Sequence, residues 1–213
     1  MPANRWCQLC ENAGLDGRAE WAVLTAGYGE PGRAYHNLRH VLDCLRLLDE
    51  YGHLAANPVA LEFAIWFHDL VYDPRAADNE ERSAAAAAEF LAPTSFGPAV
   101  AALIMATMHH TAPPGGDAGL ICDIDLSILG REPAAYAAYA EAIRREYAWV
   151  PPDRYAVGRT RVLRGLLERS EIFSHRDLRE RFDKQARANL HWEISALTDA
   201  TAKPPEPNQP EEK

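Results

Sequence analysis

The stretch Leu61-Glu62-Phe63-Ala64-Ile65-Trp66-Phe67-His68-Asp69-Leu70-Val71-Tyr72 carries one charged residue in its first seven positions. A helix that is apolar on most of its sides has to be buried. Asn57-Pro58 stands ahead of it, and a proline fits the first turn of a helix, where its missing N–H costs nothing. Pro74 bounds the stretch on the other side. A carboxylate inside such a segment costs several kcal/mol, at about the level of an unpaired buried charge, unless a partner or a cation compensates it. His68 and Asp69 would point ~100° apart on a helix. A shorter Asp and a longer His can still converge on one ion from a helix end. The same twelve residues therefore predict a buried helix and a site.

Outward from this segment the apolar spacing is helical, and alternation with β-branched residues is scarce. Helices are expected over residues 5–28, with an interruption near Gly14, and over 36–51. Leu38, Val41, Leu42, Leu45 and Leu48 share one side of the second, and Gly52 ends it. The central helix runs from Pro58 to the residues before Pro74. Others are expected over 79–91 (Asp78 as N-cap), 97–110, through DIDLSILG to Gly130, and over 133–147, 152–169 and 175–197. The PPGGD segment reads as a loop. Beyond Thr198 the sequence DATAKPPEPNQPEEK is rich in proline and charge and is expected to be a disordered tail. The prediction is one all-α domain of eight to ten helices over residues 1–198, followed by a tail over 199–213.

Composition narrows the function. The 213 residues are 47% apolar and 25% charged, which excludes disorder of the whole chain. The net charge of −9 argues against a duplex-DNA binder, which would be basic. That charge is uneven: residues 1–140 hold 8 basic and 18 acidic side chains, and residues 141–191 hold 12 basic and 8 acidic. An acidic front and a basic back suit a bound cation beside an anionic ligand. The first residues show no signal-peptide pattern, and no apolar run approaches the ~18 residues needed to span a bilayer. Four cysteines do not make a disulfide scaffold, so the cytosol is the expected compartment. Cys7 and Cys10 form a lone CxxC, more simply read as part of a half-exposed first helix than as a zinc or redox site.

Four places put metal-ligating side chains into this helical pattern: His36 with His40, His68-Asp69, His109-His110, and Asp123 with Asp125. His36 and His40 are four apart and share a face if both are helical. Asp125, between Ile124 and Leu126, raises the same question of a buried charge as Asp69. Two His and two Asp suit a divalent transition metal, with no necessary part for a thiolate. His53, His175 and His191 read as ordinary structural histidines. His36 reads as a capping or supporting residue as readily as a ligand.

The order H…HD…D, with the HD in an apolar helix, resembles the HD-domain superfamily of metal-dependent phosphohydrolases. The blocks YHNLRH (35–40), AIWFHDLVYD (64–73), NEERSA (79–84), ATMHH (106–110), DIDLSILG (123–130), EYAWVP (146–151) and GRTRVL (158–163) resemble one subfamily of predicted HD phosphohydrolases, over residues 21–197. The resemblance implies an all-α fold and a divalent metal (Mn, Fe, Co, Ni, Zn or Mg) held by His40, His68, Asp69 and Asp125. Asp123 is then a supporting acceptor. It implies hydrolysis of a small phosphate ester, including a nucleotide, by a metal-activated water. Glu80 is the candidate general base, unless it is only a carboxylate favoured by the helix N-terminus. His110 is the candidate acid, phosphate contact or ligand of a second metal. Arg159 is the candidate phosphate fork. Tyr35 and Asn37 are placed at the pocket mouth. Competing readings are a di-iron oxygenase or lyase on the same scaffold, with His36, His109 and His110 as spare ligands, and a non-catalytic nucleotide sensor. Single-stranded nucleic-acid binding by residues 141–191 ranks last, since no aromatic interleaving accompanies the basic residues.

Overall fold

The computed structural model describes residues 1–110 and 115–198. The described residues are all-helical and contain no strand. Pro113-Pro114 of the expected loop and the expected tail beyond Thr198 lie outside them. The chain divides into two compact units, Met1–Ile124 and Asp125–Lys213.

The first unit is built from α1 (Pro2–Asn12), α2 (Arg18–Tyr28), α3 (Leu38–Tyr51), α4 (Pro58–Phe67), α5 (Asn79–Phe90), α6 (Gly97–Thr107) and α7 (Gly116–Asp125), the last of which ends one residue past the division. Its centre is α4, where Ala60, Leu61, Phe63, Ala64, Ile65, Trp66 and Phe67 are all buried. Asn57 caps this helix by accepting a hydrogen bond from the Ala60 amide at 3.0 Å, and Pro58 follows at its first position. Trp6 of α1 meets Phe63, Trp66 and Phe67 edge-on, with centroids 5.7–5.9 Å away. Edge-to-face contacts of this kind add about 0.5–1.5 kcal/mol each to the burial of the rings.

The 5–28 stretch is two helices, interrupted at Gly14 as expected, where φ is 73°. Trp6 explains where it breaks: its indole Nε1 donates to the Gly17 carbonyl at 2.7 Å, so the chain there must turn toward α1. A Cβ on Gly17 would lie 2.4 Å from Cys10 Sγ and 2.6 Å from Trp6 Nε1, so only glycine fits. Two other helices are shorter than expected. α4 ends at Phe67 and α6 at Thr107, so His68, Asp69, His109 and His110 stand in turns. Asp78 occupies the N-cap position of α5 without a side-chain cap bond.

The second unit contains a 3-10 turn (Leu126–Gly130), α8 (Pro133–Glu146), α9 (Pro152–Leu167) and α10 (Arg176–Thr198). α10 buries a polar stripe, Gln185, Asn189 and Glu193, at successive intervals of four. Asn189 is fully buried and donates to the carbonyls of Leu129 and Arg131, both at 2.8 Å, while Gln185 donates to its Oδ1 at 3.0 Å. This satisfies carbonyls that the end of the 3-10 turn leaves open. Gly130 allows the approach: a Cβ there would lie 2.5 Å from Phe182 Cβ and 2.6 Å from the Phe182 carbonyl oxygen.

Two glycines should respond in opposite directions. Gly130→Ala is expected to lower unfolding free energy by about 1–3 kcal/mol, because backbone of α10 has to move. Gly158→Ala, in α9 with nothing within 4 Å of the new Cβ, is expected to be neutral or to stabilise by about 0.5–1 kcal/mol. Urea denaturation of the two variants checks both signs.

Candidate metal centre

The turn that follows α4 creates the site. Because the helix stops at Phe67, its last carbonyls need partners. His68 Nδ1 donates to the Ile65 carbonyl at 2.9 Å, and the Tyr28 hydroxyl donates to that of Trp66 at 2.9 Å. The Leu70 amide donates to that of Phe67 at 2.9 Å. Arg33 then reaches in with two nitrogens: Nη1 donates to the Asp69 carbonyl at 2.6 Å and Nη2 to the Leu70 carbonyl at 2.7 Å. Its charge is matched by Glu30 at 2.8 Å, and its guanidinium lies against the rings of Tyr28 and Tyr72. The loop continues under Ser83, whose Oγ accepts from the Val71 amide at 3.1 Å, and Asn79, whose amide brackets Asp73. Thus the NEERSA block holds the chain that leaves the HD turn.

His40 comes from the other side, in the first turn of α3. Asn37 is the N-cap there. Its Oδ1 accepts from the Arg39 amide at 2.9 Å, and its Nδ2 donates to the carbonyls of Arg33 and Ala34. Asn37 therefore caps α3 and ties it to the Arg33 loop. His36 precedes that cap and is not on α3, so it does not share a helix face with His40. It stacks on Tyr72 with centroids 4.2 Å apart, and Tyr35 lies 4.8 Å from the His40 ring.

His40 and His68 are 4% and 2% exposed, and their Nε2 atoms face each other at 3.1 Å. Asp69 Oδ2 lies 3.1 Å from His68 Nε2 and 3.6 Å from His40 Nε2. A backbone carbonyl can only accept, so His68 Nδ1 carries the proton of that bond, and Nε2 faces His40 and Asp69. Two nitrogens bound at ~2.1 Å and at right angles on one ion would be ~3.0 Å apart. The observed spacing fits that arrangement. Burial alone would raise the Asp69 pKa; the charges of His68, His36 and His40 and the bond from His68 outweigh it and hold the carboxyl well below the usual carboxylate range.

His40, Cys44, His68 and Asp125 form a group in which one ligand atom from each lies within 4.8 Å of the others, so it can hold a metal ion. Asp125 takes part as the last residue of the unbroken helix α7. Asp123, two residues earlier, is 2% exposed. Sequence reasoning missed two participants. Cys44 sits one turn after His40, a spacing visible in the sequence but passed over because a His/Asp set needs no thiolate. Arg33 had no signal beyond being one of few cations in an acidic segment.

Glu80 is half-buried in the first turn of α5, and no hydrogen bond or ion pair joins it to the histidines among the described residues. His110 follows α6 with φ 48°, a left-handed backbone that non-glycine residues rarely adopt, and His109 is exposed. Arg159 is committed within the second unit. Its Nε and Nη2 donate to the two oxygens of Glu193 at 2.8 and 3.1 Å, and Nη2 also meets the Tyr139 hydroxyl at 3.2 Å. Tyr136 donates to the same carboxylate. Burial pushes the Tyr136 and Tyr139 phenols up, with Arg159 opposing it in both. Any phosphate at Arg159 must share it with Glu193. At the CxxC, Cys7 is half-buried and Cys10 fully buried on α1. Burial pushes the Cys10 thiol up to about 12, which leaves it unreactive near neutrality.

No family model, curated protein or solved structure matches the chain. No described helix is long and apolar enough to cross a membrane.

Arg33→Ala should leave the Asp69 and Leu70 carbonyls without donors and lower stability by about 3 kcal/mol in chemical denaturation. Arg33→Lys, with one ammonium in place of a fork, is expected to fall between it and the wild type. A native-state alkylation time course should label Cys7 long before Cys10.

Proposed function

We propose that the protein is a metal-dependent phosphohydrolase of the HD type, acting on a small phosphate ester such as a nucleotide. The observation that carries this reading is the pair of buried imidazole nitrogens 3.1 Å apart with the Asp69 carboxylate against both. It lies on the residues in which the sequence resembles that superfamily. His40, His68, Asp69 and Asp125 hold the ion, and the Ile65 carbonyl fixes the tautomer of His68. A divalent ion in such a place lowers the pKa of water and polarises a phosphoryl oxygen.

The chain's other residues bind and move protons. Glu80, on the helix that anchors the loop after Asp69, accepts a proton from the attacking water. His110 protonates the leaving oxygen or contacts the phosphate. Arg33 is a positioning residue: it acts through the Asp69 and Leu70 carbonyls and touches no substrate.

A panel of nucleotide mono-, di- and triphosphates and simple phosphate esters, assayed with Mn, Co, Ni, Zn and Mg, tests the reading. Release of phosphate with at least one metal is expected. Asp69→Ala and Asp125→Ala should lose bound metal by elemental analysis and lose turnover, while circular dichroism retains their helical content. Glu80→Gln should keep its metal and lose activity by about 10²–10⁴-fold. Absence of hydrolysis from protein that carries stoichiometric metal would count against a phosphohydrolase. Oxygen uptake by iron-loaded protein would favour the oxygenase alternative.

A further inference from the structure

The His/Asp set is not the whole of the cluster. Cys44 follows His40 by four residues on α3, so both side chains leave the same face of one helix. It is 3% exposed. Its Sγ lies 3.8 Å from His40 Nδ1 and 3.8 Å from Nε2. Equal distances to the two ring nitrogens place the sulfur on their bisector, not along either lone pair. The same sulfur lies within 4.8 Å of ligand atoms of His40, His68 and Asp125.

Two donor sets thus overlap on one pair of imidazoles. Asp69 completes a mixed nitrogen and oxygen set, which suits divalent transition metals generally, and Cys44 completes a set with a soft donor, which favours zinc-like ions over Mn or Mg. The backbone around Asp69 is pinned by Arg33, whereas Cys44 belongs to the helix that carries His40. To ligate an ion on the Nε2 lone pair of His40, the Cys44 sulfur has to turn off the bisector of the two ring nitrogens toward Nε2.

Resting on the metal-centre reading above, we propose that Cys44 is a thiolate ligand of the ion, which makes the site a His/Cys/Asp centre selective for zinc-like ions over manganese and magnesium. Ligation replaces the S–H bond by a sulfur–metal bond and releases the proton to solvent, so metal uptake releases one more proton than a His/Asp set would. A thiolate also donates more charge than a carboxylate oxygen and leaves the bound ion a weaker acid. In the HD reading, Cys44 is a residue that sets metal choice, not one that meets the phosphate.

Cobalt spectroscopy decides it. Metal-free wild type, Cys44→Ser, Cys44→Ala and Cys122→Ser are titrated with Co(II), and absorption is recorded in the visible and near-ultraviolet. Wild type and Cys122→Ser are expected to show visible ligand-field bands together with a near-ultraviolet sulfur-to-cobalt charge-transfer band. Cys44→Ser and Cys44→Ala should keep the visible bands and lose the charge-transfer band. In competition, the preference for zinc over manganese should fall about tenfold or more in Cys44→Ser. Bound cobalt without a sulfur band in wild type overturns the proposal and leaves the metal centre standing. A sulfur band that survives in Cys44→Ser overturns it equally. Folded wild type that binds no cobalt overturns both this proposal and the metal reading. The wild-type spectrum separates these outcomes even if a variant fails to fold.

Discussion

The end of α4 is the constraint on which the rest depends. A helix buried on nearly every side cannot hand its last carbonyls to water, and each one left open costs about 1–3 kcal/mol. The chain meets this with the Tyr28 hydroxyl and the His68 ring, and the Arg33 guanidinium does the same for the Asp69 and Leu70 carbonyls of the turn that follows. Each donor does a second thing. Tyr28 joins α2 to α4, Arg33 fixes the turn that presents Asp69, and the His68 bond fixes which of its nitrogens faces the cluster. Capping a buried helix and orienting the candidate ligands are one set of hydrogen bonds.

The turn has to be held from both sides. Ser83 and Asn79 of α5 grip its outgoing end, and Asn37 links the Arg33 loop to α3, which brings His40. The polar residues that flank the HD pair therefore hold the backbone before they serve any chemistry. Asn37 and His36 illustrate this: one caps a helix, and the other stacks on Tyr72. The second unit follows the same rule with different residues. Asn189 closes the carbonyls of Leu129 and Arg131, and Glu193 neutralises Arg159 where it is buried.

Charge has the same local character. The acidic excess of residues 1–140 includes Asp69, whose carboxylate is held ionised by three imidazoles against the effect of its burial. The basic excess of residues 141–191 is not a uniform anion-facing wall. Arg159, its leading member, is already paired with a buried carboxylate, and Arg187 with Asp183 and three backbone carbonyls.

The all-α class, the start of α4 at Asn57-Pro58 and the histidines and aspartates of the cluster were legible in the sequence, because apolar periodicity, proline positions and a charge inside an apolar run are local signals. The helix ends were not. α4 and α6 stop before His68 and His109, and at α4 a side chain remote in sequence, Tyr28, takes over the Trp66 carbonyl while Arg33 holds the carbonyls of the turn that follows. Nor could periodicity rank the donors around His40. Whether Cys44, Asp69 or Asp125 lies within reach of the imidazoles depends on where α3, the turn after α4 and the end of α7 meet, and residues far apart in sequence are brought together only by packing.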